Sequence, residues 1–227
     1  ELRRLPSLEV VSFEEIGLDE LIGSGVDRED WHGPLTVNAC RRLGITSAYV
    51  PRTFALAVAD HVRAAGIELI PNRVAFSDRR RVKTEHELAG IRRAQAAAIA
   101  VMETIRGMLR SAEVGADSLS LDGAPLTSER LKQAAGAVLV EHGMVPEPFI
   151  VAHGEQAAHG HDMGSGPIRA GESIVVDVWP RDAESGCFAD MTRTFCVGEP
   201  PEQLVALHRA TLDALQASLA EIRAGAD

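Results

Sequence analysis

Two aspartates and three closely spaced histidines are the residues of this sequence best suited to chemistry. Asp177 interrupts the β-branched run SIVVDVW, and Asp190 opens the run DMTRTF. Strands bury such runs, and a carboxylate inside one is costly unless a partner compensates its charge. The segment from Pro180 to Gly186 is rich in turn formers and short enough to fold the two runs into a hairpin with the aspartates nearly side by side. Two converging carboxylates repel each other, so one takes a proton or both share a cation. A divalent cation such as Mn²⁺, Co²⁺ or Zn²⁺ suits the pair, singly or as a two-metal centre. The plainer alternative is that each aspartate makes only local hydrogen bonds, and Asp182 in the turn reads as solvent-facing polarity.

His153, His159 and His161 fall within nine positions of the glycine-rich stretch HGEQAAHGHDMGSGP, which leads into the Asp177 run. Each alone reads as a surface or hydrogen-bonded histidine. Beside a pair of carboxylates they could hold a substrate carbonyl or carboxylate, or relay protons.

Several elements must position these groups. In the first third, a strand is expected near Glu9 to Phe13, a short helix near Leu18 to Ile22, a helix from Leu35 to Leu43 and a strand at Ser47 to Val50. A helix then carries Phe54, Val58 and Val62 at helical spacing before Gly66, and a strand resumes at Ile67 to Ile70. Helix and strand alternating over a short span is an α/β signature. The pattern breaks at Pro71, and the basic segment containing Asp78, Arg79, Arg80 and Arg81 reads as a linker.

Thr84 followed by Glu87 forms a capping box, which starts a helix running to about Arg110. Its inward side is expected to carry Leu88, Ile91, Gln95, Ile99, Met102, Ile105 and Leu109. A strand at Ser118 to Leu121, a helix from Ser128 to His142 with Leu131, Ala135, Val138 and Leu139 inward, and a short buried strand at Phe149 to Ala152 follow. The histidine stretch reads as irregular. After the aspartate hairpin, Pro200 and Pro201 precede a last amphipathic helix with Leu204, Leu207, Thr211, Leu215, Leu219 and Ile222 on one side.

Composition narrows the function classes. With 33 acidic against 23 basic residues the formal charge is −10, which argues against nucleic acid or an anionic membrane as a general partner. Mean hydropathy near zero fits a globular protein. The sequence holds no stretch of about eighteen apolar residues and no basic-then-apolar opening, so neither a membrane span nor a signal peptide is expected. Cys40, Cys187 and Cys196 match no zinc or disulfide spacing and read as free thiols in a reducing cytoplasm. Gly164-Ser165-Gly166 lacks the lysine and helix of a phosphate-binding loop.

Taken together, these residues resemble the M24 "pita-bread" metallopeptidases, in the branch of Xaa-Pro aminopeptidase, prolidase and creatinase. RRVKTEHELAGIRRAQ resembles the family's entry into its catalytic domain, PFIVAHG its approach to the active-site histidine, and VVDVWPRD with ADMTRTFCVG its first two metal-ligand segments. The fold so implied is α+β: an incomplete pita-bread catalytic domain over residues 84–227, preceded by an α/β creatinase-type N-terminal domain over residues 1–75 and a linker at 76–83. The resemblance makes Asp177 a ligand of one metal ion and Asp190 a ligand bridging two ions, Mn, Co or Zn. It gives His161 the role of contacting substrate and assisting proton transfer, lets His153 face substrate, and places Thr192 behind the metal ligands.

The implied activity is metal-dependent cleavage of Xaa-Pro bonds in short peptides with proline at the second position, in a cytoplasmic enzyme that is a possible homodimer. The chain departs from the family in having Trp179 and Pro180 after the first ligand, in a hairpin longer by a pair of residues, as in a bacterial DxWPRD sub-branch. It also stops before the family's further histidine and two glutamates. The 227 residues therefore read as a truncated member, expected to bind metal weakly, to catalyse little and to expose apolar surface on the hairpin and on its first and last long helices. Two rivals share the fold: a creatinase-like C–N hydrolase that needs no metal, and a peptide-binding pseudoenzyme.

Overall fold

The computed structural model describes residues 10–225, which form two compact units, one up to Val82 and one from Lys83 onward. The first contains α1 (Leu18–Gly23), α2 (His32–Arg42), β1 (Ser47–Val50), α3 (Leu56–Ala64), β2 (Glu68–Pro71) and α4 (Arg73–Phe76). Strands β1 and β2 pair in parallel, with Ser47 opposite Glu68, and α3 supplies the crossover that parallel strands require. Val37, Val50, Ala59, Val62, Ile67 and Leu69 form its core.

One expectation changes here. Glu9 lies outside the described residues, and residues 10–13 form no strand. They lead into a 3-10 turn at Glu14–Ile16, where Ser12 and Glu15 exchange hydrogen bonds between each other's side chain and backbone N–H, both at 3.3 Å. Short helical turns at Arg73–Phe76 and Asp78–Arg80 run up to and into the segment read as a linker. Asn72 caps the first of these turns by accepting from the Ala75 N–H at 2.9 Å, and Arg73 pairs with Asp78 at 3.1 Å.

The second unit opens with α5 (Glu85–Arg110). Thr84 and Glu87 form the expected capping box: the Thr84 hydroxyl accepts from the Glu87 N–H at 3.3 Å, and Glu87 Oε2 accepts from the Thr84 N–H at 2.8 Å. The buried stripe of α5 is rotated from the expected one. Gly90, Ala94, Ala97, Ala98, Val101, Met102, Ile105 and Leu109 are buried, whereas Ile99 is half exposed. The small residues face inward because α6 (Ser128–Glu141) packs directly on them, and close helix packing favours alanine over isoleucine at the contact.

The remaining elements are β3 (Glu113–Val114), β4 (Leu119–Leu121), β5 (Ala124–Pro125), β6 (Met144–Val145), β7 (Ile150–His153), β8 (Ile174–Val178), β9 (Arg181–Asp182), β10 (Met191–Phe195) and α7 (Glu202–Glu221). The sheet that matters most runs β10-β8-β7, antiparallel throughout. One of its faces is core: Val151, Ile174, Val176 and Val178 join Ala94, Val101 and Ile105 of α5 and Leu131 and Leu139 of α6 in one buried cluster. Helix α7 buries none of its residues, and Leu207, Leu215, Leu219 and the following Ile222 are each more than half exposed. No described helix is long and apolar enough to cross a membrane.

Candidate metal and substrate site

Strand alternation gives β8 two different faces. Ile174, Val176 and Val178 are fully buried, while Val175, Asp177 and Trp179 are half-buried on the other side. The strand thus holds Asp177 on the face that does not pack on the helices. Across the ladder, Asp177 is paired with Thr192, whose hydroxyl donates to Asp177 Oδ1 at 2.5 Å.

The register continues past the named strands through the bridge between Arg181 and Phe188 and the bond from the Ala189 N–H to the Pro180 carbonyl at 3.0 Å. Asp190 therefore stands across from Trp179, on the same face as Asp177 and one diagonal step along it. The expected side-by-side placement becomes a diagonal one, with Thr192 as the direct neighbour. Diagonal cross-strand positions lie roughly 7–8 Å apart, within reach of side chains that lean toward each other. Among the described residues no three His, Cys, Asp or Glu side chains gather as a metal-holding group. The two acids fit part of a divalent-ion site and do not complete one.

His161 reaches the same face. It lines a cavity of about 260 Å³ together with His159, Asp162 and Asp177, and Ile150, Ala152 and Val175 give that cavity an apolar floor. The loop that delivers His161 is tightly shaped. His161 itself is left-handed, with φ 65°, in a turn closed by the Asp162 N–H donating to the His159 carbonyl at 3.2 Å. Non-glycine residues reach that conformation at a cost of about 1–2 kcal/mol, which the surrounding bonds must over-determine. They do so: Asp162 Oδ1 accepts from the Gly164 N–H at 2.8 Å, and Lys132 Nζ donates to the Gly164 carbonyl at 2.7 Å. Gly164, at φ 77°, lies so close to β7 that a Cβ there would stand 1.8 Å from the Val151 carbonyl oxygen.

His153 takes a different place from the one expected. It pairs with Ile174 and so lies on the opposite face from Asp177, nearly buried at 8% exposure. Its Nδ1 lies 2.8 Å from Glu172 Oε2 and its Nε2 lies 3.1 Å from the Ser165 carbonyl oxygen. Gln156 holds Ser165 from the other side, with its amide bonded to the Ser165 carbonyl at 3.0 Å and N–H at 3.1 Å. His153 therefore ties the two ends of the histidine loop together and does not line the cavity. The loop start, expected to be irregular, is a 3-10 turn over Gly154–Ala158.

Asp182 overturns a sequence expectation outright. It is 2% exposed, and its carboxylate accepts from Arg93 Nε and Nη2, both at 2.8 Å. Ser185 adds its N–H at 2.8 Å and its hydroxyl at 2.6 Å. The Arg93 hydrogen bonds hold the Asp182 carboxyl well below the usual carboxylate range, against the opposing effect of burial. Gly90, one helical turn before Arg93, lets the turn approach α5: a Cβ there would meet Ser185 Oγ at 1.9 Å. No local signal marks this contact, since Arg93 and Asp182 are 89 residues apart.

The sequence model of metallopeptidase family M24 matches residues 89–227. No curated protein matches the chain by sequence. Among solved structures, an Asp260Ala form of Escherichia coli aminopeptidase P aligns with 98% of this chain and 47% of its own, at TM-score 0.67 and 18% identity. Prolidase from Pyrococcus horikoshii aligns with 80% of this chain and 50% of its own, at TM-score 0.66 and 19% identity. An X-Pro aminopeptidase from Thermotoga maritima aligns with 88% and 53%, at TM-score 0.63 and 21% identity. The likeness extends to the pita-bread fold of these proteins, and the chain spans about half the length of each.

Proposed function

The chain belongs to metallopeptidase family M24, and from that premise we propose that the protein to which these residues contribute is a two-metal peptidase cleaving the bond before proline at the second position of short peptides. The observation that carries the proposal is the sharing of one sheet face: Asp177 and Asp190 lie on the face opposite the helical core, and Asp177 lines the same cavity as His161. Prolidase and X-Pro aminopeptidase among the structural neighbours favour a proline-directed substrate.

Asp177 and Asp190 would hold divalent ions, with Mn²⁺, Co²⁺ and Zn²⁺ all suited to carboxylate ligands. When bound, such ions polarise the scissile carbonyl and offset the negative charge that develops on it. The protein's own groups do the rest. Thr192 holds the Asp177 carboxylate by donating to its Oδ1. His161 hydrogen-bonds the substrate and moves a proton at the reacting carbonyl or amide, in the way a positioned imidazole can. Ile150, Ala152 and Val175 seat apolar substrate atoms and keep water off them.

Two carboxylates make a weak site, so residues 1–227 alone would hold a divalent ion poorly. The three free thiols support a cytoplasmic setting. The test is direct. The protein expressed from its complete coding sequence is stripped with a chelator and titrated with Mn²⁺, Co²⁺ or Zn²⁺ while hydrolysis of Xaa-Pro dipeptides is followed. Saturable, metal-dependent cleavage that disappears in Asp177→Asn and Asp190→Asn is the expected result. Cleavage unaffected by chelation, or none with any metal, would sink the proposal.

A further inference from the structure

We propose that Arg93 and Asp182 are a positioning pair: by docking the hairpin turn on α5 they hold the register that puts Asp177 and Asp190 on one face. The inference rests on the metal-ligand role given above to the two acids, and it concerns residues that role does not include.

Three observations lead to it. The hairpin keeps a single, uninterrupted register from Phe195 opposite Ile174, through Thr192 opposite Asp177, to Phe188 opposite Arg181. It is closed by the Asp182 N–H donating to the Cys187 carbonyl at 2.9 Å and the Gly186 N–H donating to the Asp182 carbonyl at 2.8 Å. The backbone bonds that close the turn therefore both involve Asp182. The side chain of Asp182 is saturated at the same point by two bonds from Arg93 and two from Ser185.

Burial along this arm specifies register only in part. Thr192, Arg193 and Thr194 are exposed, and toward the core only the small Ala189 is buried, with Met191 and Phe195 partly so. A slip of one residue nevertheless sends every side chain of a strand to the other face, which would carry Asp190 away from Asp177. A two-point guanidinium–carboxylate contact is the directional kind of bond that resists such a shift, which a lysine cannot reproduce. Gly90 completes the device by allowing Ser185 to lie against the α5 backbone.

The experiment uses the complete protein in wild-type form and as Arg93→Met, Arg93→Lys and Asp182→Asn, with Ile105→Val as a core control that lowers stability without touching the turn. Amide hydrogen exchange is compared between residues 188–195 and α6, without metal. Co²⁺ affinity is measured separately, by absorbance. Arg93→Met and Asp182→Asn are expected to speed exchange across 188–195 at least tenfold relative to α6 and to weaken Co²⁺ binding at least tenfold. Arg93→Lys should restore little, and Ile105→Val should leave the exchange ratio unchanged. Exchange that rises evenly in both regions, or Co²⁺ binding no weaker than in Ile105→Val, would overturn the proposal. A wild-type protein that binds no Co²⁺ would overturn the metal role alone, because the exchange ratio still reads the docking of the turn.

Discussion

The Thr192 hydroxyl donates to Asp177 Oδ1 at 2.5 Å across the ladder between β8 and β10, so the residue facing the first acid is a hydrogen-bond donor and the second acid stands diagonally from it. Thr192→Val keeps the β-branched shape and removes the donor. Stability is expected to change by no more than about 1 kcal/mol, because the site is exposed. Divalent-metal affinity in the complete protein should fall by roughly 10–100-fold, the usual consequence of losing a group that orients a metal ligand. Calorimetric titration with Mn²⁺ alongside thermal melting separates the two effects, and unchanged affinity would contradict the orienting role.

Asp182→Asn should be costly at neutral pH and nearly harmless in acid. Arg93 holds this carboxyl below the ordinary range in the folded protein, so folding favours the ionised form. The stabilisation is complete above the unfolded value of about 3.9 and is lost as pH falls below that toward the folded value. Urea unfolding should show the variant less stable by about 2 kcal/mol at pH 7 and pH 5, with the gap closing progressively below about pH 4. A gap that persists in acid would place the cost elsewhere than in the charge.

Glycines inside α5 and α6 should respond to alanine in opposite directions. At Gly90 the new Cβ would stand 1.9 Å from Ser185 Oγ and 2.7 Å from its Cβ, so Gly90→Ala is expected to destabilise by about 1–3 kcal/mol despite better helix propensity. At Gly107 and Gly136 nothing lies within 4 Å, and alanine there should stabilise by about 0.5–1 kcal/mol. Melting temperatures of the three variants test the contrast, and a gain at Gly90 would contradict the close approach of the turn.

His161→Gly should separate stability from activity. Glycine relieves the left-handed backbone at φ 65° and is expected to raise stability by up to about 1 kcal/mol, while the proposed Xaa-Pro cleavage by the complete protein is expected to lose kcat with the imidazole. His153→Ala, by contrast, breaks both ties of a nearly buried ring and should lower stability by about 2 kcal/mol. Equal losses of stability in the two variants would argue against the division between a presented and a bracing histidine.

What the sequence revealed and what it hid follow from the range of the interactions. Thr84 and Glu87 announce the start of α5 because a capping box is complete within one helical turn. The β-branched runs around Asp177 and Asp190 announce strands because alternation is local. The inward side of α5 was not legible, since Ala94, Ala97 and Ala98 are buried only because α6 comes close. Asp182 looked like turn polarity for the same reason: its partner Arg93 lies on another element. Spacing alone did not distinguish His153 from His161; the resemblance singled out His161, while the turn of His153 toward Glu172 was hidden.

The unbroken pairing of the hairpin also limits how such a protein can evolve. Because an acid sits on each arm and side chains alternate with every residue, adding or deleting a single residue within a paired arm between them would invert part of that arm unless a bulge or the turn absorbed it. Changes by even numbers leave the two carboxylates facing the same way. Asp182, held by Arg93 and Ser185, anchors the turn from which both arms run.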